Sequence, residues 1–171
     1  MKSEATGRET MQREKSLVLL LTTLLLGALV VSTTAFGARA PASAETVIRV
    51  AFNKTLGKRI VVDGKGRSVY MFVLDTRGKA TCIPGWEEHP ACHIVLPPVR
   101  GIPRAGAGID GSKLGTTKRS DGTQITYNGR PLYYFKGAGY GDPDLKPGDL
   151  HGQGFYQMFY VLSPNGTPIR K

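Results

Sequence analysis

The sequence predicts an all-β domain: a small sandwich or barrel-like fold built from two related β-hairpin repeats, with long Gly/Pro-rich loops. The chain has 22 Gly and 11 Pro among 171 residues, and both residue types destabilise the interior of a helix. After the N-terminal segment, short β-rich runs separated by turn signals replace any sustained helical spacing of apolar residues. A Gly-Arg-x-(Val/Leu)-Tyr-x-Phe pattern also occurs twice.

The N-terminal segment, residues 1–44, is predicted to be a secretory signal peptide. Residues 17–31 are apolar except for two threonines, basic residues precede them, and Ala42-Ser43-Ala44 provides small residues for a signal peptidase. We expect cleavage after Ala44. The alternative is an uncleaved membrane anchor, although a spanning helix needs about 20 apolar residues.

Six β-strands are predicted in the remaining chain, residues 45–171, which we expect to form one domain. In order they are Thr46–Phe52, Lys58–Val62, Ser68–Leu74, Thr123–Tyr127, Arg130–Lys136 and Phe155–Leu162. Asp63-Gly64 and Asn128-Gly129 each separate two of these runs. Both pairs are typical of type I′ hairpin turns, in which both central residues need a positive φ.

The segments between the strands are predicted to be turns and long loops. Asp75–Gly78 and Ser163–Gly166 fit type I turns, and Lys146–Asp149 fits a type II turn with glycine in third place. Loops cover residues 75–98, 100–111 and 137–154. Loops of this length in a small domain are commonly binding surfaces or are fixed by a cross-link.

The internal repeat aligns Gly66–Phe72 with Gly129–Phe135, within repeats of about 52–99 and 112–169. Strand alternation places Tyr70 with Phe72, and Tyr133 with Phe135, on one face of each strand. The opposite faces are apolar too, so each strand should be covered on both sides. Two hairpins that bury the same aromatic pair would form an approximately two-fold domain, in which these four rings are architectural.

At these residues the chain resembles a secreted repeat family of unknown function, predicted lipoproteins with a Tyr-x-(Phe/Trp/Tyr)-x-x-Asp motif. The first copy has Tyr70, Phe72 and Asp75, followed by Thr81-Cys82. The second half resembles the family's longer block in the stretches LGTTKRSDGTQITYNGRPLYYF, DLKPGDLHGQG and FYVLSPNG. An insertion at about 136–143 moves the matching aspartate of the second copy to Asp144. The resemblance implies export but no reaction.

Cys82 and Cys92 are predicted to form a disulfide, since this is the commonest state of two nearby cysteines in an exported protein. Three alternatives use His89 or His93 beside them. These are a zinc site, a haem attachment and a cysteine nucleophile, and the spacing fits neither a zinc finger nor Cys-x-x-Cys-His. The motif carboxylate Asp75 has two interpretations, an Asx-turn residue or the edge of an aromatic binding face.

The charge pattern and the acidic loop leave further alternatives. Asp142, Asp144 and Asp149 resemble calcium ligands in type but lack the spacing of a calcium loop. A net charge of +10 favours anionic partners, such as a cell-wall polymer or a membrane surface. Nucleic-acid binding is not expected, because no recognition motif is present.

The sequence therefore predicts an exported, non-catalytic binding or cell-envelope-associated module that needs no cofactor or metal. Exposed loop residues, Trp86, His151 and Asp144, are the expected ligand contacts. The alternative is an extracellular hydrolase or a metal or redox protein, using the loops around Cys82–His93 and Asp142–His151.

Overall fold

The computed structural model describes residues 44–170, in which short strands form three small β-sheets. The strands are β1 Glu45–Asn53, β2 Lys58–Asp63, β3 Tyr70–Phe72, β4 Ile102–Ala105, β5 Leu114–Arg119, β6 Gly122–Tyr127, β7 Arg130–Pro131 and β8 Phe159–Val161. One short helix, α1 Cys92–Val95, and 3-10 turns at Gly111–Lys113 and Phe155–Gln157 complete the described elements. The predicted all-β class is confirmed, and the sheets do not close into a barrel.

The first sheet has the order β2-β1-β4. Strand β1 pairs antiparallel with β2, with Val50 opposite Val61, and parallel with β4, with Glu45 opposite Ile102. Strand β4 lies in the stretch 100–111 that the sequence predicted as a loop. The sequence of β4 has no alternation of buried and exposed residues, because three of its four residues are exposed. Its strand partner, β1, is more than fifty residues away in the chain.

The third sheet has the order β5-β6-β7 and contains the second predicted hairpin. Tyr127 of β6 pairs with Arg130 of β7, so the loop contains only Asn128 and Gly129. Both have positive φ, 49° and 72°. The predicted type I′ turn is therefore confirmed. Strand β5 was not among the predicted strands, since its sequence LGTTKR has no apolar alternation and only one buried residue.

The turn after β2 differs from its prediction. Gly64 is not in the left-handed region, and the positive φ of 86° falls on Gly66 instead. Gly66 N–H donates to the Asp63 carbonyl at 2.9 Å, and Asp63 N–H donates to the Arg67 carbonyl at 3.0 Å. This pattern is that of a type I turn followed by a left-handed glycine. The Asp63 side chain selects it by accepting the Lys65 and Arg67 N–H groups.

The last predicted strand is shorter than expected. Its first three residues, Phe155–Gln157, form a 3-10 turn, and β8 covers only Phe159–Val161. Tyr156 and Gln157 have positive φ, 46° and 59°, which no strand residue adopts. The predicted type I turn at Ser163–Gly166 is confirmed by a 2.8 Å bond from Gly166 N–H to the Ser163 carbonyl.

The two repeats meet at their equivalent tyrosines. Tyr70 and Tyr133 exchange both backbone hydrogen bonds at 2.9 Å, as an antiparallel bridge. A pairing between equivalent residues implies a local two-fold axis at this point. Beyond it the repeats exchange strands. Strand β8 of the second repeat pairs with β3 of the first, while Pro97 of the first accepts from Tyr134 N–H of the second at 2.9 Å.

The core has two clusters, one on each face of this central ribbon. Tyr70, Phe72, Tyr133 and Phe135 share the first cluster, and each is at most 2% exposed. The second cluster takes the side chains that alternate with them, Val69, Met71 and Leu132. Both faces are covered, as the sequence predicted. Full burial of one such side chain is worth about 1.5–3 kcal/mol.

The predicted signal segment lies outside the described residues, except for Ala44. The carbonyl of Ala44 accepts a 3.1 Å bond from Ile102 N–H, next to the start of β1. Within residues 44–170, no helix has the length and apolarity that crossing a membrane requires.

Candidate functional site

The motif aspartates bond reciprocally to the tyrosines of the opposite repeat. The Tyr133 hydroxyl donates to Asp75 Oδ2 at 2.8 Å, and the Tyr70 hydroxyl donates to Asp144 Oδ2. The other oxygen of each carboxylate accepts a backbone N–H, from Thr81 at 2.7 Å and from His151 at 2.8 Å. Each aspartate therefore connects its own loop to the ring of the other repeat.

Burial changes the acidity of these groups. It raises the pKa of Asp75 to about 6, against the hydrogen bonds from Thr81 and Tyr133. Burial likewise raises the pKa of Asp144. The pKa of both tyrosines is raised by burial first and by the neighbouring carboxylate second. Asp75 and Asp144 are 3% and 6% exposed, so neither faces a solvent-filled site.

The positions of both aspartates differ in detail from the sequence predictions. The turn after β3 is Thr76–Lys79, closed by a 3.2 Å bond, so it starts one residue after the predicted Asp75–Gly78 turn. Asp144, expected as an exposed loop contact, is buried because it accepts the Tyr70 hydroxyl.

Cys82 and Cys92 form the predicted disulfide, with their Cα atoms 5.5 Å apart. The bond consumes both thiols that the zinc, haem and nucleophile alternatives required. Among residues 44–170, no three His, Cys, Asp or Glu side chains come together as a ligand set.

In the acidic loop, the Asp149 carboxylate bonds to the backbone of its own turn. Asp149 Oδ2 accepts the N–H groups of Leu145 and Lys146 at 2.9 and 2.8 Å. The predicted type II turn at Lys146–Asp149 is confirmed, with Gly148 at a φ of 95°. His151 lies beside this turn, with its Nδ1 3.2 Å from Asp144 Oδ1.

A largely apolar groove of about 460 Å³ lies between two long loops. The loop closed by the disulfide forms one side, and the stretch 140–159 forms the other. We call this feature the aromatic groove. Its lining comprises Phe72, Trp86, Glu88, His89, Pro90, Ala91, Cys92, Val95, Leu96, Tyr140, Phe155, Tyr156, Met158 and Phe159.

A continuous series of rings crosses the groove from one wall to the other. Adjacent centroids are 4.6 Å apart for His89–Trp86, 5.8 Å for Trp86–Phe72, 4.4 Å for Phe72–Phe159 and 6.3 Å for Phe159–Phe155. Tyr156 and Tyr140 extend the series at 4.6 and 6.4 Å from Phe155. Since Phe72 is a motif residue, the repeat core forms the floor of the groove.

The electrostatic character of the groove differs from that of the chain as a whole. Its lining contains the carboxylate of Glu88 and the imidazole of His89, but no Lys or Arg. A more open depression of about 630 Å³ adjoins it, shares Trp86 and Glu88, and includes Lys79 and Glu87. The aromatic groove is the better candidate site, because its walls are largely apolar with a few polar groups.

Of the residues expected to contact a ligand, Trp86 lines the aromatic groove, whereas His151 and Asp144 do not. Sequence reasoning missed Phe155, Tyr156 and Tyr140. Tyr140 lies in the insertion at about 136–143, and that departure from the family pattern was the one available signal. The strand predicted over Phe155–Leu162 includes Phe155 and Tyr156, whereas both lie in a 3-10 turn of the groove wall.

One comparison with known proteins finds a family match over part of the chain. Residues 115–162 match the family described as a secreted repeat of unknown function. The matched segment runs from β5 to β8 and includes Tyr133, Asp144 and one wall of the groove. The resemblance predicted from the motifs is thus confirmed over these residues. No curated protein and no solved structure matches the chain.

Proposed function

We propose that the protein is an exported, non-catalytic binding module whose ligand lies in the aromatic groove. The observation that carries the proposal is the series of rings at the surface between the two loops. Tyr140 and Tyr156 are 53% and 67% exposed, although large apolar surfaces are usually buried on folding. Binding of a partner that covers these rings would be favourable, because it would remove their exposed apolar surface from water.

The backbone at Tyr156 supports this assignment. Tyr156 has a φ of 46°, and a bulky residue seldom adopts the left-handed region. Hydrogen bonds around it maintain this conformation, from Gln157 N–H to Gly154 at 2.8 Å and from Met158 N–H to Phe155 at 2.9 Å. Such strain is commonly retained where a side chain must be presented to a partner.

An extracellular address is supported by the family description and by the disulfide, since disulfides persist in oxidising compartments. The expected anionic cell-wall polymer or membrane surface stays a prediction. It applies to the surface outside the groove, because the groove lining has no Lys or Arg. No observation favours the hydrolase, metal or redox alternative.

The experiment uses Trp86, the only tryptophan of the chain, as a reporter inside the groove. The probe is N-phenyl-1-naphthylamine, an uncharged apolar dye that accepts energy from tryptophan. We expect saturable quenching of Trp86 emission with one dye per protein. Tyr140→Leu should weaken binding about 3- to 10-fold, because an aromatic contact is worth about 0.5–1.5 kcal/mol beyond its area.

The matched control is Phe52→Leu, which removes an equally exposed ring, 63% accessible, outside the groove. This variant should bind the dye as the wild type does. Quenching that does not saturate, or that Phe52→Leu and Tyr140→Leu weaken equally, would contradict the proposal.

A further inference from the structure

We infer that the ligand of the aromatic groove is a small, soluble organic cation of the quaternary ammonium type, bound by the rings and by Glu88. The inference rests on the proposed function and names the chemistry of its ligand. The supporting observations are the charge of the lining, the lack of Lys or Arg over its rings among the described residues, and the size of the groove.

The charge of the lining favours a cation. The whole chain has a net charge of +10, yet the groove lining has no Lys or Arg and carries one carboxylate, Glu88. An anionic ligand would face this carboxylate with no Lys or Arg to pair with it. A cation would gain a favourable interaction with Glu88 and also with the negative faces of the rings.

The rings of the groove are also free of cations from the chain itself. Guanidinium groups do lie over other aromatic faces, Arg67 over Tyr134 at 4.3 Å and Arg170 over Tyr160 at 5.0 Å. Among the described residues, no Lys or Arg occupies a ring of the groove. The basic side chains of the chain thus leave this aromatic surface open to an external cation.

The orientation of the rings suits a rounded cation better than a flat one. The Phe155 ring meets Tyr156 at 65° and Tyr140 at 83°, so the three rings form a corner and not a parallel slot. Trp86 and His89 meet at 64° on the opposite wall. Ring walls set at steep angles are the arrangement that quaternary ammonium groups find in aromatic cages.

Size and charge together favour a free small molecule over a lipid headgroup. The groove volume of about 460 Å³ lies in the range of small-molecule sites, roughly 300–1,000 Å³. A phosphocholine lipid would bring a phosphate next to the cation. That phosphate would approach Glu88 in a lining that has no Lys or Arg, which disfavours the zwitterionic headgroup.

The test compares choline with its uncharged isostere, in which a quaternary carbon replaces the nitrogen. Trp86 emission reports binding of each, at a fixed chloride concentration near physiological ionic strength. Because cation–π interactions contribute about 0.5–2 kcal/mol, we expect choline to bind about 3- to 30-fold more tightly than the isostere. Tyr140→Leu should weaken choline binding more than it weakens isostere binding.

Two charge variants separate the local effect from the net charge. Glu88→Gln removes the carboxylate of the groove and should reduce the preference for choline to the part that the rings contribute. Glu87→Gln makes the same change in net charge at a neighbouring residue outside the groove lining, and it should keep the preference. Circular dichroism of both variants checks that the fold is retained.

The outcomes distinguish this inference from the proposed function. Equal affinity for choline and the isostere, or loss of the preference in Glu87→Gln as well, would overturn the cationic ligand. Saturable binding of the naphthylamine dye in the same preparation would then leave the binding module standing. Tighter binding of phosphatidylcholine micelles or of a neutral chito-oligosaccharide than of choline would also overturn the inference. If neither dye nor choline binds, both proposals fail.

Discussion

At the residue scale, the reciprocal tyrosine–aspartate pairs explain how two short repeats form one core. Asp75 and Asp144 are buried carboxylates, which are costly unless they are hydrogen-bonded. Each accepts one hydroxyl from the opposite repeat and one N–H from its own loop. Folding of either loop therefore depends on the tyrosine of the other repeat.

Sequence reasoning predicted the burial of the four rings, but not the partners of the aspartates. Strand alternation is a local property, so it places Tyr70 with Phe72 and Tyr133 with Phe135 without tertiary information. The hydroxyl that Asp75 accepts comes from a residue 58 positions away. No local pattern encodes that distance, and a turn was the better local interpretation of Asp75.

The raised pKa of Asp75 predicts a pH dependence of stability. Between the unfolded pKa of 3.8 and the folded pKa of about 6, the folded state binds more protons than the unfolded state. The carboxyl's contribution to the unfolding free energy is therefore present below pH 4 and is lost as the pH rises through 6. Asp75→Asn has no carboxyl to ionise, so its unfolding free energy lacks this decrease with rising pH. Its unfolding free energy should rise relative to wild type by on the order of 1–3 kcal/mol between about pH 3 and pH 8.

Denaturant unfolding of both proteins across this range measures the difference. The control is Asp110→Asn, which removes an exposed carboxyl whose pKa is lowered by hydrogen bonds from Ser112. Because that shift has the opposite sign, the variant should lose stability relative to wild type as the pH rises through the range where Asp110 titrates. A constant difference between Asp75→Asn and wild type would refute the role given to burial.

At the element scale, side-chain contacts decide between two turns of similar sequence. Asn128-Gly129 forms the predicted type I′ turn, in which both residues have positive φ. Asp63-Gly64 does not, because the Asp63 carboxylate accepts two N–H groups and pairs with Arg67 at 2.8 Å. The turn after β6 was thus predictable from its two residues. The turn after β2 depends on the hydrogen bonds that Asp63 accepts and on its ion pair with Arg67.

Gly129 provides the element-scale prediction. Its φ of 72° is unfavourable for any residue with a Cβ, and that Cβ would lie 3.3 Å from Cγ of Arg77. Gly129→Ala should lower the unfolding free energy by about 1–2 kcal/mol. Gly111→Ala is the control, since Gly111 has no positive φ and its nearest neighbour is at 3.6 Å. That change should stay within about 0.5 kcal/mol. Similar losses in both variants, measured by denaturant unfolding, would contradict the account of the turn.

Two other elements were not predictable from the chain because tertiary contacts determine them. The stretch FYQMFYVL has the composition of a strand, but β8 covers only Phe159–Val161 in its second half. Its start turns instead, since Phe155 packs on Phe135 at 5.0 Å and joins the groove wall. Strand β4 exists only through its parallel pairing with β1.

At the scale of the whole molecule, the two repeats are joined by an exchange of strands. Strand β8 completes the first repeat, and the segment around Pro97 completes the second. The sequence predicted two related hairpins, but a repeat pattern alone does not say whether each closes on itself. The exchange also places the two long loops side by side, where their rings form the aromatic groove.

The central claim is that the repeats form one cooperative unit joined at Tyr70 and Tyr133. Native-state hydrogen exchange of these two amides, each of which donates to the other residue's carbonyl, tests it most directly. We expect both amides to exchange only through global unfolding, with equal free energies of opening. Exchange of one amide more than about tenfold faster than the other would contradict the claim, because one repeat would then open while the other stays folded.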